Sequence, residues 1–473
     1  MIRVGVNYEG RDPRFVETVL PLAEIVEVTP DAVATFRHGA PVIPSETLEE
    51  LRAIGRQKPV TLHGVGLSIA SAGAMNDGYF ALTDVLMDAL DVSWHSEHLG
   101  YTTVDGADLG TMLVPPRTTA VLELICGRVR QIQRRYAKPF LLEHVVNLFP
   151  DAGGAFTAAG FLNEIVRRTG CGVLLDLYNL ECDAHNGIGG LDAFLDELDL
   201  AAVREIHVAC GTVDRGLRVD VHSRITREET LALLRRVLPR TPNVEAVIFE
   251  ILGPAVPVTG HDAIAAELQR VRAAVDDAAP VQTRTLSSPA PEPEHAHLSL
   301  EEHQRAMSDL IRGRDVADDP YIAAAAQSTG LQVTRDSIRG WRSFRLDRNC
   351  RLTAAILKQR GLYEEVLDEM EREPLSPFIE PLSAAFLAMA ATRGDELIAS
   401  VAKFEQALLR EDDDTEEPVE WPCNPYDVFS ALLGGEAVPA LPEAAHRTIV
   451  SRAIPGLFRV EQRFNPERSE GSG

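Results

Sequence analysis

Between Glu205 and Ser223 an apolar run carries His207, a short Gly-containing loop follows, and then Asp220 and His222 stand two residues apart. Residues i and i+2 of an extended segment face the same side. Asp220 and His222 can therefore aim an oxygen and an imidazole nitrogen at one point, a donor pair that suits iron, manganese or zinc. An isolated Asp-x-His is more often surface decoration or a buried pair, but other groups of the same kind are spaced along the chain. His63 closes one apolar run, Glu97 and His98 another, and Glu143 with His144, Asp176 with Asn179, and Glu250 lie late in three more.

The runs that carry these residues read as strands: 3–7, 25–28, 60–64, 92–97, 140–145, 172–177, 205–209 and 246–251. Val, Ile and Leu dominate them, as expected for parallel strands covered on both faces. Helical stretches separate them, including 13–23, 117–136, 157–168 and, after the sixth run, 191–198. Eight rounds in about 280 residues match the size and rhythm of a TIM (β/α)8 barrel. A doubly wound sheet is the runner-up, but no Gly-x-Gly-x-x-Gly turn follows the first strand. In a barrel the strand ends converge at one mouth. Four imidazoles (His63, His98, His207, His222) and four carboxylates (Glu143, Asp176, Asp220, Glu250) then meet over one axis. Four clustered carboxylates repel one another and are driven protonated unless cations compensate them. Eight N/O donors exceed what one ion needs, so two or three ions sharing carboxylates are expected.

In chain order, Leu62-His63-Gly64-Val65-Gly66-Leu67-Ser68, Ser96-Glu97-His98-Leu99, Leu141-Leu142-Glu143, Leu174-Leu175-Asp176-x-x-Asn179, Ile206-His207-Val208-Ala209, Asp220-x-His222 and Phe249-Glu250 resemble the multinuclear non-heme iron oxidative enzymes, TIM barrels that modify ribosomally made peptides, as in methanobactin biosynthesis. The resemblance spans roughly residues 1–280. It implies two or three irons, mixed Fe(II)/Fe(III), with O2 as co-substrate, oxidising a residue of a precursor peptide. It implies the ligand set His63, His98, Glu143, Asp176, Asn179, His207, Asp220, His222 and Glu250. Three positions depart from the family pattern. His144 replaces Asn, as an extra ligand, an outer donor or a packed core residue. Tyr178 also replaces Asn, and lines a pocket or fills space. Cys210 replaces Gly, and reads as a small hydrophobe.

The 473-residue chain is too long for one core, so two domains are expected. A net charge of −25 disfavours nucleic-acid binding and, with it, an endonuclease-type hydrolase. A divalent-metal sugar isomerase stays open on the donors alone. The six Cys are scattered without a Cys-x-x-Cys, which excludes a Cys-rich zinc module. No leader or membrane span is read, so a cytoplasmic protein is expected. The barrel is assigned to residues 1–278, a Pro-rich linker to 279–298, an all-α domain to 299–464 and a disordered tail to 465–473. The family commonly works with a separate partner protein that recruits the precursor, and the helical domain could be such a partner fused in. Within it Arg335, Arg339, Arg342, Arg345, Arg348, Arg351, Lys358 and Arg360 form a basic island around Trp341 and Phe344. The island is either a solvated face or a docking surface for an acidic leader peptide.

Overall fold

The computed structural model describes residues 2–279, 298–316, 318–373, 376–409, 418–440, 444–451 and 456–462. The barrel has eight parallel strands: β1 (Arg3–Tyr8), β2 (Ile25–Val28), β3 (Val60–Gly64), β4 (Val92–His98), β5 (Phe140–Glu143), β6 (Gly172–Asp176), β7 (Val203–Val208) and β8 (Ala246–Phe249). They pair in sequence order and close through β8 against β1 and β1 against β2. All eight expected runs are strands, with ends moved by one or two residues. Their alternation explains the interior. Ile25, Trp94, Leu141, Leu174, Ala246 and Ile248 form a buried cluster that plugs the barrel. Gly5 lets β1 approach β2 there, since a Cβ would lie 2.5 Å from the Ile25 carbonyl oxygen.

Eight principal helices follow the strands: α1 (Pro13–Thr18), α2 (Ser45–Gly55), α3 (Asp77–Ala89), α4 (Thr119–Tyr136), α5 (Ala158–Thr169), α6 (Leu177–Asn186), α7 (Glu228–Val237) and α8 (His261–Asp276). Side chains cap several of them in the expected way: Asn76 for α3, Thr118 for α4 and Thr157 for α5. Helix α6 lies where a strand end and loop were expected. Asp176 stops the strand by turning its carboxylate onto the amides of Tyr178 and Asn179, which starts the helix at once. The helix expected at 191–198 is present too, as a seven-residue turn over Leu191–Glu197.

The chain divides into two compact units, residues 1–34 with 41–335, and residues 35–40 with 336–473. This division lies beyond the Pro-rich stretch at which the sequence places the boundary. The reason is helix α9 (Leu300–Ile311), which belongs to the barrel unit. Gln304, fully buried, accepts from the Ala72 amide at 2.7 Å and donates to the Ala70 carbonyl at 2.8 Å, and Arg305 pairs with Asp105. A capping box of Ser299 and Glu302 sets its first turn. Helix α10 (Pro320–Gln327) follows, and the division falls inside α11 (Thr329–Asn349).

The second unit holds α12 (Arg351–Arg360), α13 (Tyr363–Arg372), α14 (Ile379–Ala391), α15 (Glu396–Leu409) and α16 (Pro425–Gly434). It also carries a three-stranded antiparallel sheet, β9 (Pro418–Trp421), β10 (His446–Val450) and β11 (Phe458–Gln462), which the sequence reading did not contain. Phe404, Trp421, Phe429 and Phe458 pack edge-to-face or stacked between helices and sheet. Residues 35–40 join this unit: the Thr35 hydroxyl donates to Glu380 and Phe36 packs on Phe378. Most of the expected linker and the tail from 465 onward lie outside the described residues. No helix among the described residues is long and apolar enough to cross a membrane.

Candidate metal centre

Every strand from β3 to β7 delivers a donor at its C-terminal end. His63 is next to last on β3, His98 ends β4, Glu143 ends β5, Asp176 ends β6 and His207 is next to last on β7; Glu250 follows β8. Asp220 and His222 arrive differently. A hairpin of Thr212–Asp214 and Leu217–Val219 leaves the barrel after β7 and returns them. The amides of Ser223 and Arg224 both donate to the Cys210 carbonyl at 3.0 Å, and the Leu252 amide donates to the His222 carbonyl at 2.8 Å. These bonds pin the returning segment beside β8.

Two carboxylate oxygens sit between imidazole pairs. Glu143 Oε2 lies 3.2 Å from His63 Nε2 and 3.3 Å from His98 Nε2. Glu250 Oε2 lies 2.9 Å from His207 Nδ1 and 3.0 Å from His222 Nδ1. The far nitrogen of His222 is 2.6 Å from Asp220 and 3.6 Å from Asp176. The structure thus brings all eight expected imidazoles and carboxylates together. Asn179 is there too, but through its amide nitrogen, which donates to Glu143 Oε1 at 3.1 Å and to the His144 carbonyl at 3.2 Å. Outer bonds aim the rings. His98 Nδ1 donates to the Gly64 carbonyl at 2.8 Å, and His63 Nδ1 meets the Ser96 hydroxyl at 2.8 Å, so both present Nε2 to Glu143. Gly64 has no room for a side chain, since a Cβ would run into the Tyr79 hydroxyl and Glu97.

Electrostatics within the cluster are strained. Burial pushes the Glu143 and Asp176 carboxyls up, Asp176 to about 7. Burial acts the same way on Glu250, but the imidazoles of His222 and His207 outweigh it and hold that carboxyl well below its ordinary range. Burial would lower His207 and His222; the surrounding carboxylates overcome it and raise both. His63 is lowered by burial. His63 Nε2, Glu143 Oε2 and Asp176 Oδ2 are buried with no hydrogen-bond partner. Orphaned buried donors of this kind are costly unless something coordinates them. Donor atoms of His63, His98 and Glu143, of His63, His207 and Glu250, of Glu143, Asp176 and His207, and of Asp176, His222 and Glu250 lie within 4.8 Å of one another. The donor set, nitrogen and oxygen without sulfur, suits a borderline cation.

Two acidic residues at the site were missed in the sequence. Glu27 on β2 and Glu205 on β7 are fully buried, and Glu27 Oε2 lies 3.3 Å from His207 Nε2. The only signal was an isolated carboxylate inside an apolar strand, which also describes an ordinary ion-pair partner. The three departing residues are now placed. Tyr178 packs edge-on to His222, at 6.1 Å between ring centres, and fills space. Cys210 is buried and its thiol is pushed up by that burial. His144 faces outward from the cluster, 3.4 Å from Asp183, with neither ring nitrogen in a hydrogen bond. It lines a cavity of about 640 Å³ together with Leu99, Asp183 and Phe194. Leu99 and His144 follow directly on His98 and Glu143 in the chain.

Residues 5–276 match the family model described as RiPP precursor modification enzyme MbnB/TglH/ChrH. A Chromobacterium violaceum protein named UPF0276 protein is 31% identical over 56% of this chain and 94% of its own length. A Caulobacter vibrioides protein of the same name is 35% identical over 41% of this chain and 70% of its own. Among solved structures, a xylose isomerase domain containing protein from Salmonella typhimurium matches with a TM-score of 0.40 and 15% identity, over 58% of this chain and 97% of that one.

Proposed function

The chain belongs to the RiPP precursor modification family MbnB/TglH/ChrH, and from that membership we propose that it is an iron-dependent oxidoreductase acting on a residue of a ribosomally synthesised precursor peptide. The observation that carries the metal reading is the set of buried donors at the barrel mouth that lack partners, His63 Nε2, Glu143 Oε2 and Asp176 Oδ2. His63, His98, Glu143, Asp176, His207, Asp220, His222 and Glu250 would hold the metal, with Asn179 as a further ligand or as the clamp on Glu143. Two or three irons in mixed Fe(II)/Fe(III) state would supply O2 activation and oxidation of the bound residue.

The residues of this chain have separable tasks. Glu143 and Glu250, each between two imidazoles, would supply carboxylate oxygens to the metal. The Gly64 carbonyl, Ser96 and Asn179 hold the donors in place before anything binds, which lowers the reorganisation on loading. The plug beneath the site keeps water from entering through the barrel. The cavity beside His144 is the entry for a peptide segment, and at about 640 Å³ it is within the range of ligand sites. The helical unit we assign to recruitment of the precursor. Trp341 and Phe344 stack at 5.8 Å and remain partly exposed, with Arg348 over the Phe344 ring.

The test is anaerobic purification from iron-rich medium followed by metal analysis. It is coupled to co-expression with short open reading frames next to the gene and mass spectrometry of the products. More than one iron per chain and an O2-dependent mass change in one peptide are expected. One zinc per chain with iron supplied, and no mass change, would sink the proposal and favour the sugar-isomerase alternative. For the recruitment role, the W341A/F344A double variant should keep its iron and bind the identified peptide more weakly; equal affinity would remove that surface from the reading.

A further inference from the structure

Below the donor cluster, one level deeper in the barrel, lie groups that the metal reading does not use. Ile25 and Glu27 point the same way from β2, into the interior, and Ile25 is part of the apolar plug. Glu205 and His207 are likewise two apart on β7. Glu205 is held from behind: its Oε2 accepts the indole N–H of Trp94 at 2.8 Å. Glu27 and Glu205 are fully buried. Donor atoms of Glu27, Glu205 and His207 lie within 4.8 Å of one another, so this group has the composition of a metal site. Its surroundings do not suit one. Trp94 already occupies one Glu205 oxygen and the neighbouring plug of Ile25, Leu141, Leu174, Ala246 and Ile248 is apolar, while Glu27 Oε1 and Glu205 Oε1 have no hydrogen-bond partner.

His207 is the link between the two levels. Its Nδ1 is 2.9 Å from Glu250 Oε2, the oxygen shared with His222. Its Nε2 is 3.3 Å from Glu27 Oε2. One ring nitrogen faces the donor cluster and the other faces a buried carboxylate. An imidazole that binds metal through one nitrogen must carry its proton on the other, and that N–H needs an acceptor.

We propose that Glu27 is a positioning residue for His207: it accepts the Nε2–H, fixes that tautomer, and leaves Nδ1 as the metal-binding atom. The assignment rests on His207 being a ligand, as proposed above. It explains why a carboxylate is retained deep in an apolar barrel, where an unpaired charge is costly.

The experiment uses full-length protein loaded with Zn(II), which is diamagnetic, and labelled with 15N-histidine. Long-range 1H–15N spectra report which ring nitrogen of each histidine is protonated, with His207 identified by the peak lost in H207Q. A proton on Nε2 and a metal-type shift on Nδ1 are expected. A proton on Nδ1, or metal on Nε2, overturns the proposal, the latter making the inner group itself a metal site. Anaerobic Fe(II) titration supplies the second readout. Glu27→Leu should weaken iron binding roughly 10–100-fold. Glu27→Gln keeps an oxygen that accepts the same N–H, so it should stay close to the wild type and give the same ring spectrum. Equal affinity in Glu27→Leu and wild type overturns the proposal. Should Glu27→Leu not fold, the wild-type and Glu27→Gln spectra decide. A wild-type chain that takes up neither metal brings down the metal reading and this inference together, whereas a loaded wild type with the wrong nitrogen protonated sinks the inference alone.

Discussion

The barrel mouth and the basic island of the helical unit looked alike in the sequence: each is a crowd of charged residues of unusual density. Folded, they differ in how those charges are satisfied. At the mouth, buried donor atoms converge on one another and three of them, His63 Nε2, Glu143 Oε2 and Asp176 Oδ2, have no hydrogen-bond partner. On the island, several of the cations are paired within the fold. Arg335 donates to the carbonyls of Leu310 and Ile311, Arg339 joins Glu364, Asp368 and Glu371, Lys358 pairs with Asp347 and Arg360 with Asp395. Density of charge is therefore a poor guide to chemistry. What separates a site from a scaffold is polar atoms left unsatisfied in a place where leaving them so is costly.

The contrast can be broken experimentally. The largest effect is expected at the mouth: Glu143→Ala, Asp220→Ala and His222→Ala should each lower iron affinity at least about 100-fold and abolish peptide modification, while circular dichroism stays that of the folded barrel. Unchanged iron occupancy in any of them removes that residue from the ligand set. Next comes Asn179→Leu, which frees Glu143 Oε1; a loss of roughly 10–100-fold in iron affinity is expected of an outer clamp. A loss as deep as that of Glu143→Ala would make Asn179 a ligand instead. In the helical unit the expectation reverses. Arg339→Met should leave iron content unchanged and cost about 1 kcal/mol of stability, because pairs this exposed are individually weak; a change in iron content would mean the two regions are coupled.

The smallest effect sharpens the comparison with an ordinary surface clamp on the barrel itself. The guanidinium groups of Arg167 and Arg168 hold the Glu164 carboxyl down at about 2, from 4.5. A carboxyl lowered on folding contributes stability above its unfolded value and loses it as pH falls through the folded one. The thermal stability difference between wild type and Glu164→Gln should be small near neutrality and shrink further as pH falls from about 4.5 towards 2. A difference that grows on acidification would contradict the clamp.

The barrel was legible because eight runs rich in Val, Ile and Leu recur at one rhythm, and the donors were legible because they fall at the same end of those runs. Each signal is local in sequence. What escaped was set by closure. Glu27 and Glu205 each look like a single carboxylate in an apolar strand; only the closed barrel puts Glu27 against His207, 180 residues away. Helix α6 escaped because Asp176 serves two ends at once, capping the helix through Oδ1 while Oδ2 faces His222. The small sheet of the helical unit escaped because its strands are only four and five residues long and the first two are separated in the chain by α16. Asp220 and His222 were found for a different reason: a spacing of two in an extended segment needs no knowledge of the hairpin that carries them.

Residues 35–40 give the molecule a clock. Thr35 meets Glu380, 345 residues later in the chain. At ~5–20 residues per second of synthesis, the segment waits roughly 17–70 s for its partner to be made. Through that interval the Phe36 ring lacks Phe378, the aromatic it packs on in the finished protein. A message cut short after codon 249 and before codon 378 therefore yields a chain in which the barrel strands are complete and the Phe36 ring lacks this partner.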